Sequence, residues 1–324
     1  MELPMYPIPR VVISKCLGFD HCRYNGEIIP DNFIDKLRSY VEFITVCPEV
    51  EIGLGTPRAP IRIIEEKGGR SLFQPDSGKY FTRQMLDFTD AYLSSLSEID
   101  GFILKNRSPS CGPADVKIFQ GYDRSAGAYR DSGFFGGEVV KRFGQLAVED
   151  EGRLKNFTIR EHFLTKLFTL ARFRQAEETA DMGSLVKFHS EHKLLLLAYN
   201  QAHYRISGRI VANHEHHKAK QVYRLYRGEL LHILRRPPRY TSMINTLQHA
   251  FGWISDNLAS DEKRFFLKTL ENYRDERIPL STILHLIHAW AIRFKNEYLS
   301  SQVLLNPYPQ DLTEITDSGK GRNF

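Results

Sequence analysis

The sequence has no run of about 18 uninterrupted apolar residues, which excludes a helix that crosses a membrane. It has only four cysteines in 324 residues, too few for a disulfide framework in a chain of this length. No two of them form a C-x2-C pair, which argues against a zinc ribbon. The opening residues, MELPMYPIPR, carry an acidic residue and three prolines. They lack the basic start and apolar stretch of a secretion signal, so a cytoplasmic protein is expected. Hydrophobic residues at 42% and charged residues at 26% exclude collagen-like, coiled-coil and disordered chains. The length predicts about two domains.

Charge, histidine and cysteine are unevenly shared. Residues 1–150 hold 18 Lys and Arg against 21 Asp and Glu, a net of −3, whereas residues 151–324 hold 26 against 18, a net of +8. The excess concentrates in residues 151–240, at +9. A field of this sign favours a polyanion such as nucleic acid over a neutral small molecule. Eleven of the twelve histidines follow residue 150, and all four cysteines, Cys16, Cys22, Cys47 and Cys111, precede residue 112.

The local patterns divide the chain in the same way. RVVISK (10–15), EFITV (42–46) and IDGFIL (99–104) read as buried strands, IRII (61–64) as another. Residues 31–40, 80–98 and 134–148 have helical apolar spacing. Apolar runs alternating with helices predict a parallel, Rossmann-like α/β sheet. Ligands of such sheets bind beyond the carboxyl ends of the strands, where Cys16, Cys47 and Cys111 would lie. The polar EDEGRLK segment sets the boundary, giving an α/β domain over 1–150. Residues 157–178, 184–207, 209–235, 240–257, 261–275 and 279–300 have a period near 3.6, giving an all-α domain over 151–305. A polar tail over 306–324 is expected to be poorly ordered.

Three thiolates could hold three irons of a 4Fe–4S cluster and leave the fourth open to a soft substrate sulfur. Buried, inert cysteines are the plain alternative. The glycines and prolines beside KCLG, VCPE and SPSCGP weaken it.

These blocks carry a resemblance. A strand ending in C-L-G, then CRYNG, VCPEVEIGLGTPRAP and LKNRSPSCGP together resemble the thiouracil desulfidase family over about residues 10–145. FHSEHKLLLLAYNQ (188–201) and RDERIPLSTILHLI (274–287) resemble the helical domain of unknown function often fused to it. The combination is similar to bacterial desulfidases that convert 4-thiouridine in tRNA to uridine. The resemblance implies a 4Fe–4S cluster on Cys16, Cys47 and Cys111, a catalytic carboxylate at Glu49 and a serine at Ser110. The chain departs from the usual C-P-E-x-x-G-G-L block, reading CPEVEIGLG: Gly53 is retained, but only one glycine of the pair is present.

Other residues have two readings each. Lys105 could face the substrate or pair with a carboxylate, and Arg58 could bind a phosphate or a carboxylate. Ser108 is read as a turn cap and Cys22 as a plain loop thiol. The basic residues Arg205, Arg209, Lys220, Arg224 and Arg227 would grip RNA, with Tyr223 and Tyr226 either stacking on bases or packed in the core. His189 and His192, and the tract His214, His216 and His217, are read as RNA contacts or structural hydrogen-bonding groups rather than metal ligands. The expected function is iron–sulfur-dependent, non-redox desulfuration of 4-thiouridine in tRNA, with no membrane and no obligate protein partner. The competing readings are the same chemistry on free thiouracil or thiolated nucleotides, and a non-catalytic nucleic-acid-binding protein with a structural metal.

Overall fold

The structure is a computed structural model that describes residues 6–66, 68–122 and 127–314. Two compact units emerge: one runs to Ala171 and regains the chain at Pro309, and the other spans Arg172–Tyr308.

The first unit contains β1 (Arg10–Ser14), α1 (Asn32–Leu37), β2 (Glu42–Val46), α2 (Pro48–Glu51), β3 (Arg62–Glu66), β4 (Gly69–Gln74), β5 (Lys79–Tyr80), α3 (Thr82–Ser95), β6 (Gly101–Leu104), β7 (Val116–Phe119), β8 (Ala128–Asp131), α4 (Phe134–Phe143) and β9 (Ala147–Asp150). The apolar runs do form a parallel sheet, in the order β2-β1-β6-β9. Val11, Val12 and Ile13 have no exposed surface, as expected of a central parallel strand covered on both faces. Asp31 caps α1 by accepting from the amides of Phe33 and Ile34 at 3.0 and 3.2 Å.

A second, mixed sheet runs β5-β4-β3-β7-β8, with only β3 and β7 parallel. The IRII run belongs to this sheet and not to the parallel one. One apolar core joins the two: Val12, Val46 and Phe102 pack with Ile63, Leu72 and Ile118 around Met85 of α3 and Phe135 and Val139 of α4. The helix read over 134–148 ends at Gly144, whose amide bonds the Val140 carbonyl at 2.9 Å, and the chain then forms strand β9.

The division between the compact units lies inside α5 (Phe157–Thr179), beyond the domain boundary expected at residue 150. The first part of this helix buries Ile159, Phe163, Leu164 and Phe168, and Leu167 reaches Gly101 of β6. The segment expected as a loose tail is also packed as far as it is described. Tyr308 and Leu312 are buried, and Asp311 accepts from the Tyr40 hydroxyl at 2.5 Å. Residues 315–324 lie outside the described residues.

The second unit takes up the end of α5 and adds α6 (Met182–Glu191), α7 (Lys193–Tyr199), α8 (Gln201–Ala212), α9 (Ala219–Ile233), α10 (Tyr240–Gly252), α11 (Ser260–Arg274), α12 (Leu280–Arg293) and α13 (Glu297–Ser300). The helix read over 184–207 is broken twice, at His192 and at Asn200, whose side chain caps α8 through the His203 amide at 3.2 Å. That read over 209–235 is broken at Asn213, which adopts φ 45° and closes a loop with His217 through bonds of 2.9 and 3.0 Å. Side chains that bond the backbone locally compete with the helix in this way. Among the described residues no helix is long and apolar enough to cross a membrane.

Candidate active site

Three neighbouring strands deliver the three cysteines. Cys16 follows β1 after a turn in which Leu17 N–H donates to Ser14 O at 2.9 Å. Cys47 follows β2 directly and starts the single turn of α2, with Pro48 in its first position, where its missing N–H costs nothing. This turn lifts Glu49 from the same strand end. It closes through Gly53 and Gly55, both at positive φ (85° and 67°), with Leu54 between them packed on the core.

Cys111 lies in the loop after β6. Ser108 caps that turn, accepting from Cys111 N–H at 3.1 Å. The start of α4 holds the loop from behind: the amides of Phe135 and Gly136 donate to Ser110 O at 3.0 and 2.9 Å, and Gly133 N–H to Gly112 O at 2.8 Å. A Cβ on Gly136 would lie 2.3 Å from Cys111 O, and one on Gly133 2.6 Å from Pro109 O. Only glycine permits this approach.

The loops enclose a cavity of about 420 Å³ lined by all four cysteines together with Glu49, Arg58, Lys105, Ser108 and Ser110, a volume within the range of small-molecule sites. Cys22 was read as a plain loop thiol. It is instead buried and lines the cavity, and Cys47 Sγ donates to its carbonyl at 3.7 Å. The phosphate reading of Arg58 also falls: its Nε and Nη2 donate to Glu49 Oε2 at 2.9 and 2.5 Å, and its Nη1 to Cys22 O and Gly55 O at 3.0 and 2.8 Å. The other carboxylate oxygen accepts from Ser110 Oγ at 2.6 Å. Lys105 lines the cavity and pairs with Glu151 at 2.5 Å, the carboxylate pairing expected of it.

The neighbouring Cys16 thiol and burial push the Cys22 thiol up to about 11. The neighbouring Cys22 thiol and burial push Cys47 higher still, and burial takes Cys111 to about 12. Without metal these sulfurs keep their protons at neutral pH, so ligation must release them. Sulfurs facing one cavity are a soft donor set suited to iron–sulfur groups. Among the described residues no three His, Cys, Asp or Glu side chains close on a point that a single ion would fill.

Residues 11–151 match the model of the 2-thiouracil desulfurase family. The chain belongs to this family. A second match, over residues 193–309, is to a family described as protein of unknown function, DUF1722. Two bacterial relatives are similar: YbbK of Bacillus subtilis, 35% identical over 109 residues (32% of this chain, 72% of the relative), and YbgA of Escherichia coli, 27% identical over 149 residues (45% and 88%). Both are described as uncharacterized. The solved structure of the 4Fe–4S-dependent thiouracil desulfidase TudS is 28% identical, with a TM-score of 0.36 over 45% of this chain and 93% of that one.

In this desulfurase chain, Tyr24, Gly133 and Gly136 are site residues that the sequence reading passed over. Tyr24 lies within the CRYNG block and lines the cavity while 43% exposed. The glycines had a visible signal, the run SGFFGG at a helix start.

The second unit divides the proposed RNA contacts. Arg205 and Arg209 on α8 and Lys220 and Arg224 on α9 are exposed. His203 joins the two helices by its 2.7 Å contact with Glu229. Arg227 instead pairs with Glu177 and lies over the Phe173 ring. Tyr223 and Tyr226 are core residues, 1% and 0% exposed, so base stacking by them is overturned. Tyr223 donates to the carbonyls of Ala176 and Asp181. The Tyr226 hydroxyl contacts His189 Nδ1 at 3.0 Å, and His192 is enclosed with Nδ1 2.7 Å from Phe188 O. Both histidines serve packing. Of the tract, His214 and His216 are exposed and His217 pairs with Glu215.

Proposed function

We propose that the chain is an iron–sulfur-dependent desulfidase that replaces the thiocarbonyl sulfur of 4-thiouridine in tRNA by oxygen, without net redox change. The observation that carries this reading is the Glu49–Ser110–Arg58 network, which shares one cavity with Cys16, Cys47 and Cys111.

Cys16, Cys47 and Cys111 would hold a 4Fe–4S cluster on three irons. When bound, the group supplies Lewis acidity toward a thiocarbonyl sulfur. Tyr24 offers an exposed ring against which the base can stack. Arg58 fixes one oxygen of Glu49 and leaves the other toward Ser110. Glu49 takes a proton from the attacking water, and that proton is returned to the departing sulfur. The thiocarbonyl and water thus become a carbonyl and hydrogen sulfide. Ser110 follows the charge on Glu49 through its hydroxyl. The exposed bases of α8 and α9 supply the phosphate grip that an RNA substrate needs.

The place of Cys22 favours a second reading, a structural site closed by a fourth thiolate. One experiment separates them. After anaerobic reconstitution, wild-type protein is expected to remove 4-thiouridine from total tRNA, followed by its near-ultraviolet absorbance. Cys47→Ala is expected to lose iron and activity together, and Cys22→Ser to keep both. Loss of iron in Cys22→Ser with an inactive wild type would favour the closed site. An intact cluster with no loss of tRNA absorbance would turn attention to free thiouracil.

A further inference from the structure

Beside the cysteine cavity lies another of about 460 Å³, and Pro60, Ile61, Arg107 and Pro109 line both. Four cationic side chains, Arg62, Arg107, Lys117 and Arg130, face it with one carboxylate, Asp115, a net of +3. Asp115 is shared: Arg107 Nε approaches it at 3.2 Å and Arg130 Nη1 at 3.0 Å. Among the described residues Arg62 has no such partner. It projects from β3 with its guanidinium 5.6 Å from the centre of the Phe119 ring. Its Nε and Nη1 are buried without a hydrogen bond. Lys117 is exposed and makes no ion pair among the described residues.

Buried donors left without acceptors are costly, and a guanidinium matches phosphate in geometry and charge. We propose that this cavity takes a phosphate of the nucleotide whose base enters the cysteine cavity, with Arg62 as its principal donor and Lys117 at its rim. The proposal rests on the reading of the cysteine cavity as a thiolated-base site, and it makes the substrate a nucleotide unit and not a free base. Arg58, the nearby arginine that could have served, is committed to Glu49.

Calorimetric titration of the full cluster-loaded chain with ribose 5-phosphate, ribose and inorganic phosphate tests it, since none of these carries a base. Ribose 5-phosphate is expected to bind saturably, more tightly than inorganic phosphate, and ribose not to bind. Arg62→Gln is expected to weaken ribose 5-phosphate by roughly tenfold or more. Because Arg62 sits within a sheet, Lys117→Glu is the second variant: it reverses a charge at the rim from an exposed position and is also expected to weaken binding. Equal binding of ribose and ribose 5-phosphate, or unchanged binding in both variants, overturns the phosphate site. Tighter binding of inorganic phosphate overturns its assignment to a nucleotide. Failure to desulfurise 4-thiouridine 5′-monophosphate while ribose 5-phosphate still binds would remove the reaction proposed above and leave the phosphate site standing.

Discussion

Glu49 is held on both oxygens, by Arg58 on one side and Ser110 on the other, so neutralising it and orphaning it are different experiments. Glu49→Gln keeps the size of the side chain and removes the base. Iron content is expected to be unchanged and turnover to fall by about 10²–10⁴, as iron analysis and single-turnover rates would reveal. Arg58→Met leaves the carboxylate enclosed without its cation. Breaking a buried pair in this way costs about 3–5 kcal/mol, and urea denaturation should register it. Adding Glu49→Gln to Arg58→Met is expected to restore part of that loss, because the orphaned charge is gone; a double variant no more stable than Arg58→Met would show that the pair is not what holds this loop. The sequence carried the cysteines, Glu49 and Ser110 in legible blocks. It did not carry the Arg58 contact, since an arginine after a proline pairs according to loop closure, which local spacing does not encode.

At the level of elements, the first turn of α4 bonds the carbonyls behind Ser110 and Cys111, and the site depends on that contact staying short. Gly136→Ala pushes a methyl into the Cys111 carbonyl, and backbone cannot yield there as a side-chain tip can. A loss of about 1–3 kcal/mol is expected, together with weaker iron retention during gel filtration. A variant as stable and as iron-rich as wild type would show that the loop has room to move. The same scale explains what could be read beforehand. β1, β2 and β6 were legible because strands buried on both faces are continuous apolar runs. β5, β7 and β8 were not, because they are short and carry exposed residues such as Lys79, Lys117 and Arg130. The helical half was legible as helical, but its breaks at His192, Asn200 and Asn213 depend on single side chains bonding the backbone, which apolar periodicity does not report.

Across the whole molecule, two distributions make opposite demands on pH and salt. Burial pushes His162 and His192 down to about 3 and His189 to about 4. An unfolded chain binds those protons near pH 6.5, so this stability is fully present above that pH and is lost as pH falls toward the folded values. Glu161, pushed up to about 7 by burial, acts in the other direction and offsets part of the loss. Between pH 7 and 5 the enclosed His192 alone removes about 2 kcal/mol. His192→Phe is expected to flatten the decline of urea midpoints over that range, and a slope equal to wild type would place the acid sensitivity elsewhere. The second distribution is the basic excess of residues 151–240. Arg205, Arg209, Lys220 and Arg224 are exposed on α8 and α9, and cations that neutralise phosphates release counterions on binding. Lys220→Glu with Arg224→Glu is expected to weaken tRNA binding across sequences and to lower the salt slope by about one per lost contact, with desulfuration of free 4-thiouridine unchanged. Parallel loss on tRNA and on the free nucleoside would instead mean that the helical unit supports the cysteine site itself, and an unchanged salt slope would remove this face from the RNA interface.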